Sequence, residues 1–254
     1  NDAPRVLGFL TISFAIIPGL AVYVSGELVE YFNWTSPFYM MILFALIIFL
    51  LNQFLPTVCT PIKSGLNILS IIEHYVVQFK SRQVVFGGLL LGIGSCFVYV
   101  FSTLAPLIAM SVMGLSPDQY GSYNLITVAG IFLGSFLSNI ASKTWLATKS
   151  LKCGLLIIII GVLILSIFLL VFASPLSLFL PMVIIYIGLS FIFGNSSALA
   201  LKHVVDVSNA SAVMSFINIF SAVALIVLIS QFNTSNIWLL PAIFIGLCFL
   251  GILW

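Results

Sequence analysis

Long apolar runs separated by short polar clusters dominate the sequence, and each run approaches the roughly 20 residues that a helix needs to cross a bilayer. Barrel strands would instead alternate apolar and polar positions in segments of roughly ten residues. In lipid every backbone N–H and C=O must find its partner within the protein, so runs of this kind predict a helical bundle. Eight spans are expected, the first four being about Val6–Leu28, Pro37–Leu55, Val84–Val112 and a span that follows Ser116 and ends near Ser142. Leu155–Phe172, Leu178–Leu201, Ala210–Ile229 and a last span from Ile237 onward complete the set.

Within the first span, Pro18 and the small residues Ala15 and Gly19 predict a kink or a close helix crossing. Glu27 and Glu30 mark its exit into water, and the turn Asn33 to Ser36 leads into the second span, with Trp34 and Tyr39 as interfacial aromatics. Val84–Val112 is longer than one membrane thickness and contains Pro106, so it is expected to tilt or kink. Ser116 is a candidate N-cap with Pro117 at the first helical position, and Gly130 with Gly134 forms a small-xxx-small pair.

One longer interruption, from Pro56 to Arg82, separates two spans before it from six after it. Leu66, Leu69, Ile72, Val76 and Phe79 recur there every three or four residues, between Lys63 and the pair Lys80 and Arg82. That spacing predicts a surface helix lying along a membrane; an ordinary polar loop is the alternative.

Composition agrees with the pattern: 62% of the 254 residues are hydrophobic and 6% are charged, against a charged fraction of roughly 25% in soluble domains. Mean hydropathy is +1.31. The fold class is therefore an all-α membrane protein with about eight transmembrane spans. The net charge of +2 gives no reason to expect a nucleic-acid partner. The distribution of charge is more informative. Arg5, Lys63, Lys80, Arg82, Lys143, Lys149, Lys152 and Lys202 all fall in every second connection, whereas Glu27, Glu30 and Asp118 fall in or beside the others. The positive-inside rule then places both ends, the connector and the loops around Lys149 and Lys202 of this multi-pass protein in the cytoplasm. No Lys, Arg, Asp or Glu lies at mid-depth of a span, which excludes a voltage sensor.

Candidate chemistry is sparse. Cys59, Cys96, Cys153 and Cys248 share no metal-like spacing and read as small packing residues, so no metal or other cofactor is expected. His74 beside Glu73 and His203 beside Lys202 read as solvated or interfacial histidines. Gly87, Gly88, Gly92 and Gly94 lie inside an apolar helix, where packing glycines are expected instead of a phosphate loop. With no catalytic constellation, an enzyme is not expected. Polar and aromatic groups inside spans are the informative ones, because each is costly in lipid unless it faces protein or water. Tyr23, Tyr99, Phe101, Ser102, Thr103, Asn124, Asn195, Ser196 and Asn218 are the candidates for a substrate pathway. Interhelical hydrogen bonding is the alternative for the amides and hydroxyls, and core or lipid contact for the rings. A cavity of such groups without fixed charge would suit an amphipathic, weakly polar or cationic small-molecule substrate. A channel would need a repeated pore-lining ring, which is not seen, while a membrane assembly protein remains an alternative.

Three stretches carry a resemblance. Pro18 to Gly26 is similar to an antiporter signature of a fifth span, with Pro18, Gly19, Ser25 and Gly26 at its motif positions; Val22 stands in place of a second proline and Ser25 in place of a glycine. Gly114 to Gly121 resembles the turn entering an eighth span, and Gly194 to Leu201 a tenth. The family is the major facilitator superfamily, in particular its bicyclomycin-resistance type of drug and proton antiporters. The resemblance implies a partial major facilitator fold: 1–55 as the last two spans of the N-terminal half, 56–82 as the cytoplasmic connector, and 83–254 as the six-span C-terminal half. It also implies multidrug efflux by proton antiport and alternating access, with protons as a second partner and a monomeric full-length protein. Export or import of another small solute, such as a metabolite or siderophore, is the alternative. Asn1 is not an initiator Met and Trp254 lies inside an apolar run. The expectation is thus a chain cut at its front, lacking spans one to four and, with them, the ability to pump alone.

Overall fold

The computed structural model describes residues 3–54, 68–172, 174–202, 204–232 and 236–253. Among them there is no strand. The helices are α1 (Ala3–Tyr31), α2 (Ser36–Asn52), α3 (Ile68–Lys80), α4 (Arg82–Leu107), α5 (Pro117–Ser142), α6 (Ala147–Val171), α7 (Pro175–Leu201), α8 (Val207–Ile229) and α9 (Leu239–Ile252). The stretch from Arg82 to Val112, α5, α6, α7 and α8 are each long and apolar enough to cross a membrane, while α2 and α9 are shorter apolar helices.

Most helices run past the apolar stretch that predicts them. The largest difference is α6, which starts at Ala147 instead of Leu155, so that Lys149 and Lys152 sit on its first two turns and the loop shrinks to Lys143–Leu146. Lysine is a good helix former whose long stem reaches from a span end to the interface, so its charge does not end a helix there. The irregularity expected in Val84–Val112 is localised: the α pitch holds to Leu107, and Ile108–Val112 continues as a π-helix, closed by Met113 N–H donating to Ile108 O at 3.1 Å. Pro106, which has no N–H to give and whose ring crowds the turn before it, lies two residues ahead of this π-helix.

In lipid, burial of apolar surface does not by itself draw helices together; close packing does, and small residues permit it. The glycines fix the register of the bundle accordingly. Gly26 lies against the Pro117 carbonyl and Gly121 against the Tyr23 backbone, which makes α1 antiparallel to α5. Gly130 meets Val183 and Gly134 meets Ile187, so α5 and α7 run parallel. A Cβ on Gly188 would lie 2.6 Å from the Gly154 carbonyl and one on Gly154 would lie 2.8 Å from the Gly188 carbonyl, where antiparallel α6 and α7 cross. Gly88 against Ile217 and Gly92 against Ser221 place α4 parallel to α8. α7 is thus the central strut, packed by α4, α5 and α6, while α9 rests on α4 and α6.

The alternation brings Arg82, Lys143, Lys149, Lys152 and Lys202 to one end of the bundle and Glu27, Glu30 and Asp118 to the other. The core between the ends is aromatic. Phe97 and Phe244 pack with centroids 4.8 Å apart, and Phe101 stands edge-on to both Phe179 and Tyr186. Cys96 and Cys248 are buried free thiols and Cys153 is half-buried, while Cys59 lies outside the described residues.

At the basic end, α3 packs on α8 and α4. Tyr75 packs on the cluster of Val84, Leu91, Ala200 and Met214, and Phe79 meets Phe216 edge-on. Ile72, Val76 and Phe79 of the expected apolar face stay 44–52% exposed, and Leu66 lies outside the described residues. α8 is capped by Asp206, which accepts from Asn209 N at 3.2 Å and Asn209 Nδ2 at 2.7 Å, with His74 Nδ1 of α3 at 3.3 Å. At the other end Ser116 precedes α5 as expected, donating its N–H to Gln119 Oε1 at 3.2 Å and its hydroxyl to Asp118.

Candidate functional site: a polar cleft on the central helix

Along the basic-end half of α5, Ser135, Ser138, Asn139 and Ser142 recur at intervals of three, one and three residues. That puts all four on one face of a helix at 3.6 residues per turn. α7 runs parallel to α5 and turns Ser190, Gly194 and Asn195 toward them, α4 adds Ser95 and Tyr99, and α1 adds Pro18. Between these helices lies a cavity of about 770 Å³, within the range of small-molecule sites. Its deeper wall, near mid-bundle, is Val98, Ile131, Tyr186 and Leu189, and its amides and most of its hydroxyls lie toward the basic end.

The polar walls are only lightly committed to the protein. Asn195 Nδ2 donates to its own-helix Phe191 carbonyl at 2.8 Å and lies 3.4 Å from Ser138 Oγ. Ser190 Oγ donates to the Tyr186 carbonyl at 3.0 Å. The amide oxygen of Asn195 and the lone pairs of these hydroxyls stay available to orient a bound group. No residue lining the cavity is charged. An ammonium or a weakly polar ring entering it would meet aromatic faces and neutral dipoles, which attract a cation without demanding a fixed counter-ion.

Gly194 has a distinct place. A Cβ built there meets nothing within 4 Å, so this glycine is not a packing contact and its missing side chain simply enlarges the cavity.

Of the residues singled out from sequence, Tyr99, Asn195 and Pro18 border this cavity. Phe101 lies behind it, 1% exposed, with its ring edge-on to Tyr186, which is a wall residue. Ser102 is exposed on α4, and Thr103 is half-buried with its hydroxyl donating to the Tyr99 carbonyl at 2.8 Å. Asn124 is buried on α5, where its carbonyl accepts from Thr127 Oγ1. Tyr23 pairs with Glu27 one turn away and lies where α1 crosses Gly121. Asn218 sits on α8 beside Gly92 with its Oδ1 buried and unpartnered. Ser196 is on another face of α7 and lines a different cavity. Gly19 and Gly26 lie in the α1–α5 seam, Gly19 against Val128, and Ser25 is half-buried.

Sequence reading missed Ser95, Ser135, Ser138, Asn139, Ser142, Tyr186 and Ser190, all of which border the cavity. A signal did exist, namely the 135–138–139–142 polar face that follows the apolar stretch Val128–Gly134 of the same span.

Long apolar helices on small-residue seams around an uncharged polar cleft define a multi-pass membrane protein built to handle small molecules. Residues 1–229 match the pattern of the Major Facilitator Superfamily. The chain belongs to that family of transporters. It is also similar to a protein of Haemophilus influenzae named "Bicyclomycin resistance protein homolog", 24% identical over 150 residues, a match covering 55% of this chain. The chain spans about a third of that relative's length, the match covering 35% of it.

Proposed function

We propose that this chain contributes the C-terminal half, with two spans of the N-terminal half, to a secondary exporter of small amphipathic solutes. On this reading 1–55 closes the first half, 56–82 is the connector and 83–254 is the second half. The basic end faces the cytoplasm of an inner membrane, and the cleft between α1, α4, α5 and α7 is the solute's path out of it. The observation that carries the proposal is the cavity itself, with neutral amides and hydroxyls beside Tyr99 and Tyr186 and no charged lining residue. Such a lining favours weakly polar or cationic solutes over anions. The name of the Haemophilus relative supports drug efflux among the possible cargoes. Proton antiport is part of the proposal, with the titrating group outside this cavity.

The test is efflux of a lipophilic cationic dye from cells expressing the full-length protein. Asn195→Leu and Ser138→Leu each remove a polar group from the wall and should slow efflux about fivefold, the worth of one hydrogen bond of about 1 kcal/mol. Membrane abundance should not change. Unaltered efflux in both variants would reject the cleft as the path.

A further inference from the structure

A second cavity lies on a different face of α7 from the transport cleft, and its polar groups are sorted by depth. It has a volume of about 410 Å³ and is enclosed by α4, α6, α7 and α9. At the basic end it is bordered by Gln83, Thr148 and Lys152, and in depth by Ile158, Ile192 and Phe97. Gln83 and Phe97 are 14 residues apart on α4, about 21 Å of helix rise, more than half of the ~30 Å hydrocarbon core of a bilayer.

Ser196 supplies the second observation. On α7, Ser190, Asn195 and Ser197 each donate to a carbonyl one turn back, at 3.0, 2.8 and 3.2 Å. Ser196 does not: it is 1% exposed, lines this cavity, and its Oγ has no hydrogen-bond partner. A buried hydroxyl left unpaired is costly, whereas back-bonding to its own helix was open to it as it was to its neighbours. Lys152 is similarly uncommitted. Among the described residues no carboxylate pairs with it, while Lys149, one turn before it, sits over the Trp145 ring.

From the sorting of polar and apolar walls, the uncommitted cation and the unpaired buried hydroxyl, we infer that this cavity binds an anionic amphiphile. Its carboxylate or phosphate would lie at Lys152 and Thr148, Ser196 would donate to the head or its first linkage, and the tail would run toward Phe97. A lone ammonium at the mouth of an apolar slot selects a single negative charge, and basic pockets between helices at a cytoplasmic surface suit anionic lipid heads. The site is separate from the solute cleft and does not depend on what that cleft carries.

The test is photolabelling of the purified full chain in phosphatidylcholine nanodiscs with a diazirine analogue of palmitate, with cross-linked peptides mapped by mass spectrometry. Labels are expected on the cavity walls of α4 and α7. They should be competed by palmitate but not by hexadecyltrimethylammonium, and should fall about tenfold in Lys152→Gln, as loss of a charge-assisted contact predicts. Lys149→Gln should label like the parent. Competition by phosphatidylglycerol placed in the disc would identify a bilayer lipid as the source, and its failure a free long-chain carboxylate; either supports the site. Labels confined to outward helix faces, equal competition by the cationic analogue, or undiminished labelling of Lys152→Gln would overturn it.

Discussion

Asn195 and Ser196 are adjacent in sequence and belong to different cavities, because one residue along an α-helix is about 100° around it. The same geometry separates the glycines of α7. Gly188 is locked against the Gly154 carbonyl and Ile158 N, both backbone atoms that cannot swing aside. Gly188→Ala should therefore lower thermal stability by several degrees in a detergent melt, corresponding to an overpacking cost of about 1–3 kcal/mol. Gly194→Ala should leave the melt unchanged or raise it, since the methyl enters open space and alanine favours the helix by up to about 1 kcal/mol. Gly194→Phe should fill part of the cleft and block dye efflux while the protein still folds. Equal destabilisation by Gly188→Ala and Gly194→Ala would contradict this division between packing and lining glycines.

At the scale of elements, the join between α3 and α8 is the most readily perturbed. Asp206 holds the first turn of α8 through Asn209 and meets His74 of α3 at 3.3 Å. The hydrogen bonds from the Asn209 side chain and backbone, with His74 adding to them, hold the Asp206 carboxyl below the usual carboxylate range. A carboxyl whose folded pKa is depressed stabilises the fold above its unfolded value, about 3.9, and that contribution is lost only as pH falls through the lower folded value. Amide exchange at Asn209 and Ala210 should thus stay slow from neutral pH down to about 4 and rise below it, once intrinsic exchange rates are divided out. Asp206→Ala should raise it from neutral pH down to about 4 and converge with the parent at lower pH, and a parent protein exchanging as fast as that variant at neutral pH would remove the cap from the account. The existence of these helices was legible in the sequence because lipid leaves the backbone no alternative to helix along an apolar run. Their ends were not, because Lys149 and Lys152 continue α6 while counting as polar in any hydropathy reading. The cleft was legible only in part. Selecting polar residues by type found Tyr99 and Asn195 but also gathered Ser102 and Asn124, which share the cavity faces of α4 and α5 but sit nearer the acidic end, and Asn218 on α8, which does not border the cavity; it passed over Ser135, Ser138 and Asn139, whose close clustering on one face carries the information.

For the whole molecule, the segregation of Lys143, Lys149, Lys152 and Lys202 from Glu27, Glu30 and Asp118 sets an orientation. On a background without native cysteines, Asp118→Cys should react with an impermeant maleimide from outside intact cells and Lys149→Cys should not; the opposite pattern would invert the bundle. Orientation then decides which way the cleft faces. The central claim, that solute passes between α1, α4, α5 and α7, is tested most directly at Ser138 on the same background. Ser138→Cys in the full-length protein should react with a small cationic methanethiosulfonate, lose dye efflux as it reacts, and be protected by excess dye. Phe136→Cys, on the outward face where the parent side chain is 60% exposed, should show neither the loss nor the protection. If modified Ser138→Cys pumps at the unmodified rate, or if dye gives it no more protection than Phe136→Cys, the cleft is not the path.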